Sequence, residues 1–177
     1  MQLEELIVHA LAGSARDVFS TMLGVELGSG ESFVEGANPE ANDGVVALVG
    51  VAGPWTGTGS LSCSPQLACR ICARMLLTEA DSVNEEVLDA VAELTNMIIG
   101  GAKNELELAL GPLGLSIPTV VYGHNFKTKS AIHGDWVVVR FNWEGEPIEA
   151  RLCLGRTEKA AYVLPHGPAS VSCAVDV

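Results

Sequence analysis

The chain has 177 residues, 48% of them hydrophobic, with a mean hydropathy of +0.31. That is enough for one domain with its own core and too apolar for a disordered polymer. Its 22 acidic against 10 basic residues give a formal net charge of −12, which argues against nucleic acid, whose phosphates need clustered Lys and Arg, and against an anionic membrane surface. No apolar run approaches the length of a membrane span, and the start, Met1-Gln-Leu-Glu-Glu-Leu6, is acidic where a secretory signal is basic; a cytoplasmic protein is expected.

Leu3, Leu6, Ile7, Ala10, Leu11, Val18, Met22 and Leu23 recur near helical spacing, so Met1 to Leu23 reads as a helix that Gly24 stops. Gly28 to Asp43, rich in Gly, Glu, Asn and Pro, reads as a loop with a short extended piece around Phe33. Val45 to Val51 is β-branched and nearly continuous, as in a well-buried strand. Gly53-Pro54 turns the chain, and Thr56 to Ser62 completes a hairpin. The glycines of Gly53 to Ser60 lack the lysine of a phosphate-binding loop and precede a strand rather than a helix.

Ser64-Pro65 opens a helix to about Leu77, with Ser at the cap and Pro in the first turn. A long helical pattern follows from about Ser82 to Leu110, ended by Gly111-Pro112. Val120 to Tyr122, Trp136 to Trp143 and Ile148 to Leu154 read as strands, with Gly145-Glu-Pro147 as a turn, and alternation puts Glu149 and Arg151 on a wet face. Tyr162 to Pro165 reads as a short extended segment in a tail of unclear structure.

Of the five cysteines, Cys69 and Cys72 form a C-x-x-C pair with no second pair at zinc-ribbon spacing. They read as small buried thiols, with a redox or metal role as the alternative. His9, His124, His133 and His166 share no metal-ligand spacing. Lys127-Thr-Lys129 reads as a solvated basic loop.

The long helix carries the unusual chemistry. At about 100° per residue, Asp89, Glu93, Asn96 and Gly100 share a stripe roughly 60° wide. Val87, Val91, Leu94, Ile98 and Glu105 point the other way, and all but Glu105 suit a core. A solvated helix face is usually Lys- and Glu-rich. This one offers two acids, an amide and then no side chain. Gly100 and Gly101 each cost about 1 kcal/mol relative to Ala in a helix interior. They mark either a helix break or, at Gly100, room for a partner to come close.

The pattern Asp89-x-x-x-Glu93-x-x-Asn96 on a long helix, with Pro118 some two dozen residues beyond, resembles the CheC/CheX/FliY family of chemotaxis phosphatases. The flanking Asn84-Glu-Glu-Val-Leu-Asp89 and Met97-Ile-Ile-Gly-Gly-Ala-Lys-Asn104 resemble it too, and the likeness runs from about Leu6 to Gly155. The pattern occurs once, as in CheX; CheC proteins often carry two.

The resemblance implies a CheX-like domain over 1–155, with 156–177 as a C-terminal extension. It implies an α/β two-layer fold, with helices on a mixed or mainly antiparallel sheet, and a homodimer whose sheets join between subunits. Its activity is dephosphorylation of a phosphorylated CheY-like response regulator. Asn96 would orient the attacking water, Glu93 would contact the regulator's lysine, and Asp89 and Gly100 would lie against the partner. The divalent cation belongs to the regulator, so no cofactor and no metal site are expected in this chain. The competing reading is a non-catalytic module that binds a regulator or a motor component.

Overall fold

The structure, a computed structural model, describes residues 2–36, 42–128 and 134–157. Three helices, α1 (Leu3–Val18), α2 (Pro65–Leu76) and α3 (Glu85–Leu110), are set among seven strands: β1 (Gly28–Glu35), β2 (Asn42–Ala52), β3 (Trp55–Cys63), β4 (Gly114–Leu115), β5 (Thr119–Phe126), β6 (Trp136–Trp143) and β7 (Glu146–Arg156). The strands form one sheet in the order β1-β6-β7-β3-β2-β4, with β5 also paired to β2. Every pairing among the described residues is antiparallel.

The period-two pattern decides which side is dry. Val45, Ala47, Val49 and Val51 of β2 and Ile148, Ala150, Leu152 and Leu154 of β7 join the apolar sides of the helices in one core. Their neighbours Glu149 and Arg151 turn to the opposite face, as the alternation requires. The two-layer α/β arrangement expected from the sequence is therefore the one observed, with the helices on one face of an antiparallel sheet.

α1 gives way to a single π turn, Phe19–Leu23, capped by Gly24 at φ +65. Glycine takes that conformation without the steric cost that a Cβ brings. The turn buries Phe19 edge-on against Trp143, ring centroids 6.0 Å apart. The Ser64 hydroxyl accepts from the Leu67 N–H at 3.1 Å at the start of α2.

Several expectations change. Gly28 to Glu35 is a full strand rather than a loop with a short extended piece. Its polar composition reflects an edge position; pairing with β6 overrides weak strand propensity, and the Arg140 guanidinium lies 4.7 Å over the Phe33 ring. β6 is flanked by β1 and β7, so Trp136–Trp143 is an interior strand, and the sheets expected to join between subunits would have to meet at another edge. β5 runs well past Tyr122 to Phe126. The β6–β7 turn is centred on Glu144 and Gly145, at φ +52 and +90, and Glu146 and Pro147 already belong to β7.

β7 ends at Arg156, and Thr157 donates its N–H to the Pro54 carbonyl at 3.0 Å. The tail from residue 158, including Tyr162 to Pro165 and His166, lies outside the described residues, as do Lys129 and His133.

Candidate functional site

α3 begins where Asn84 accepts the Val87 N–H on its side-chain oxygen at 3.0 Å. Glu85 and Glu86 in the first turn complement the positive end of the helix dipole. The helix then runs unbroken through Gly100 and Gly101, so the paired glycines are not a stop. Close packing explains one of them. A Cβ on Gly101 would collide with the Ser14 Oγ, which donates to the Ile98 carbonyl at 2.7 Å and ties α1 to α3. On the sheet side, Gly59 lets α3 come down: a Cβ there would meet Ile99 at 2.7 Å.

Packing fixes the rotation of the helix. Val87, Val91, Leu94 and Ile98 are fully buried. The opposite ridge therefore faces outward: Asp89 and Glu93 are exposed, and Asn96 and Gly100 are half-buried. The structure thus brings the four residues singled out from the sequence onto one accessible stripe. Glu93 and Asn96 stand one turn apart, about 4.5 Å along the axis. Among the described residues, Asp89, Glu93 and Asn96 form no side-chain hydrogen bond or ion pair. Some carboxylates elsewhere are tied down, as Glu149 is by Arg140 at 2.6 Å and by Arg151.

Asn96 and Gly100 form one wall of an open groove of about 470 Å³. Lys103 and Asn104 continue that wall, and the segment Leu113 to Pro118 forms the other. Pro118, far along the sequence, is therefore a neighbour of the motif helix in space. Glu107 links the walls: its Oε1 accepts the Leu113 N–H at 2.7 Å and lies 3.1 Å from Lys103 Nζ. The Leu113 hydrogen bond, with help from Lys103, holds the Glu107 carboxyl below its usual range. In the sequence Lys103 shows only as part of the stretch that flanks the motif, and Leu113 to Ile117 carry no signal of their own. Pro118 was the signal that could have led there, since a residue grouped with the helix motif has to approach it.

The other candidate chemistry comes apart. Cys63, Cys69 and Cys72 are buried. Burial, then the nearby Glu146 carboxylate and Cys69, pushes the Cys63 thiol up to about 12. Burial is also the main cause that raises Cys69 and Cys72, with Asp81 and Glu86 adding respectively. Thiols held protonated in this way are poor nucleophiles and poor metal ligands. His9 Nδ1 lies 2.6 Å from Glu105 across α1 and α3, and His124 lies 3.7 Å from Asp43. No group of three or more His, Cys, Asp or Glu among the described residues could hold a metal ion. No helix among them is long and apolar enough to cross a membrane.

Known proteins share this sequence pattern and fold. The family model described as chemotaxis phosphatase CheX matches residues 45–142, a span that contains the whole ridge and both walls of the groove. The CheY-P phosphatase CheX of Thermotoga maritima is 30% identical over 125 residues, covering 70% of this chain and 80% of that one. A CheC-like superfamily protein from Shewanella sp. PV-4 superposes with a TM-score of 0.76 at 29% identity, covering 88% of this chain and 99% of that chain. The fold is also that of CheX in the CheX–CheY–BeF3–Mg2+ complex from Borrelia burgdorferi, with a TM-score of 0.69 at 24% identity over 84% of this chain and 97% of that one. The chain belongs to the CheX family of chemotaxis phosphatases.

Proposed function

We propose that this protein hydrolyses the aspartyl phosphate of a CheY-like response regulator, with Asn96 orienting the attacking water and Glu93 docking on the regulator's lysine. The observation that carries the reading is the unengaged amide of Asn96, in an open groove one helical turn from the exposed Glu93. The relatives supply the substrate class: the Thermotoga protein is a CheY-P phosphatase, and the Borrelia CheX is seen with CheY.

The chemistry suits these side chains. Water oxygen attacks phosphorus, the bond from phosphorus to the aspartate oxygen breaks, and inorganic phosphate and a free carboxylate result. The transition state is largely dissociative, so placing the water matters more than a strong base. The amide oxygen of Asn96 accepts a hydrogen bond from that water while staying neutral. A carboxylate at the same place would be repelled by the phosphoryl oxygens. Glu93, on the outer part of the ridge, meets a cationic side chain through a charge-assisted bond that fixes the register of the complex. Asp89, one turn earlier, adds to the acidic surface offered to the partner. The cation that assists the reaction is the regulator's own.

A homodimer fits the same reading. The outer edge of β1 has no strand beside it among the described residues, and pairing there would join two sheets.

The test is phosphate release from phosphorylated CheY-like receiver domains of the same organism. Acceleration of one of them supports the reading. Tight binding to a receiver without acceleration would leave a regulator-binding module instead.

A further inference from the structure

The wall of the groove opposite Asn96 is built to hold its shape. Gly114 and Leu115 pair with Ala52 and Val51 of β2. The Ser116 N–H donates to the Gly50 carbonyl at 2.9 Å, and the Gly50 N–H donates back to the Ser116 hydroxyl at 2.8 Å. That hydroxyl donates to the Ile117 carbonyl at 2.9 Å. With Glu107 holding Leu113, the segment is fastened to both the sheet and α3. On this fixed backbone Ile117 is 87% exposed and lines the groove. A single exposed apolar residue is ordinary on a protein surface. One whose backbone is fixed at the rim of a groove has already lost the backbone freedom that binding would otherwise remove.

The opposite wall carries an independent sign. Gly101 is required by Ser14, but Gly100 is not required by any neighbour among the described residues. A Cβ there would find only Leu115 Cδ1, at an ordinary 3.8 Å. A glycine that the protein's own packing does not demand, in a helix interior where alanine is favoured, keeps the groove open. The hollow at Gly100 and the knob at Ile117 face the same space that Asn96 borders.

We infer that Ile117 is an apolar anchor for the receiver domain, set against apolar side chains beside its phosphorylation site while Gly100 lets the receiver come close to α3. This deepens the phosphatase reading and rests on it. Glu93 and Ile117 then make a two-point contact, one charged and one apolar, on either side of Asn96. That division assigns Ile117 to affinity and choice of partner rather than to the chemical step.

The experiment measures the affinity of the full chain for a CheY-like receiver loaded with BeF3− and Mg2+, and single-turnover phosphate release at saturating protein. Ile117→Ser should weaken binding about 10-fold or more, as expected for losing a buried Ile side chain, and leave release at saturation within about 2-fold. Ile117→Leu should recover most of the affinity. Leu108→Ser, which alters an equally exposed apolar side chain about 120° around the helix from Asn96, should change neither quantity. Unchanged affinity in Ile117→Ser, or an equal loss in Leu108→Ser, overturns the inference. A wild-type protein that binds the receiver but releases no phosphate defeats the phosphatase reading while the binding arm still decides on Ile117. A wild-type protein that binds none of the organism's receivers defeats both.

Discussion

Ser14 of α1 and Gly101 of α3 share one site: the serine hydroxyl bonds to the Ile98 carbonyl at 2.7 Å and occupies the place a Cβ on Gly101 would need. The adjacent Gly100 has no such neighbour among the described residues. Two glycines that look equivalent in the sequence therefore differ in kind. Gly101→Ala should destabilise the fold by about 1–3 kcal/mol through overpacking. Gly100→Ala should stabilise it by up to about 1 kcal/mol through helix propensity, and weaken binding to the regulator. Urea denaturation of both variants, with receiver affinity for the second, checks the pair. Equal destabilisation by both would remove the distinction.

Glu149 lies on the sheet face away from the helices. Its burial alone would raise its pKa, but hydrogen bonds from Arg151 and Arg140 outweigh that and hold the carboxyl low. A folded-state value below the unfolded one contributes stability that is complete above the unfolded value, about 4.3, and is lost as pH falls through the folded one. Glu149→Gln should cost about 1–3 kcal/mol at pH 7. The gap from wild type should shrink as pH drops below about 4. Parallel denaturation curves at pH 7 and at pH 3.5 test this; a gap that stayed constant would contradict it.

The buried thiols should be inert. Native protein at pH 8 should react slowly with a thiol reagent at Cys63, Cys69 and Cys72 and rapidly once denatured, because burial keeps the thiolate from forming. Replacing Cys69 and Cys72 together with Ala should leave phosphatase turnover within a few-fold, with any loss following stability. Abolished turnover in a folded double variant would give those residues a role that their burial argues against.

The dimer proposal makes a separate demand. Light scattering should give twice the 18.5 kDa chain mass at micromolar concentration. A proline in β1 at a position whose N–H faces away from β6 should shift the mass toward one chain, since it removes a donor from the outer edge. A mass of 18.5 kDa at every concentration, or a dimer indifferent to that edge, would contradict it.

Local signals account for what the sequence revealed of this molecule. α3 was legible because its apolar and polar residues separate cleanly at helical spacing, and β2, β6 and β7 because their core faces follow period two. β1 was obscure because its stability comes from pairing with β6, more than 100 residues away, rather than from its own Gly-, Ser- and Glu-rich residues. In the site, Asp89, Glu93, Asn96 and Gly100 could be placed together because a single helix carries them. Ile117 could not, because its place beside Asn96 depends on β4 pairing with β2 and on Glu107 reaching Leu113. The packing role of Gly101 was equally hidden, since it is set by Ser14 on another helix.

The central claim is that Asn96 places the water. Asn96→Ala and Glu93→Ala should separate chemistry from docking when single-turnover phosphate release and affinity for a BeF3−-loaded receiver are measured on the same preparations. Asn96→Ala should slow release by about 100-fold or more, with affinity nearly unchanged. Glu93→Ala should weaken binding by roughly 1.5–3 kcal/mol if its contact excludes water, and less if water reaches it. Near-normal phosphate release by folded Asn96→Ala would contradict the account and leave the protein as a regulator-binding module.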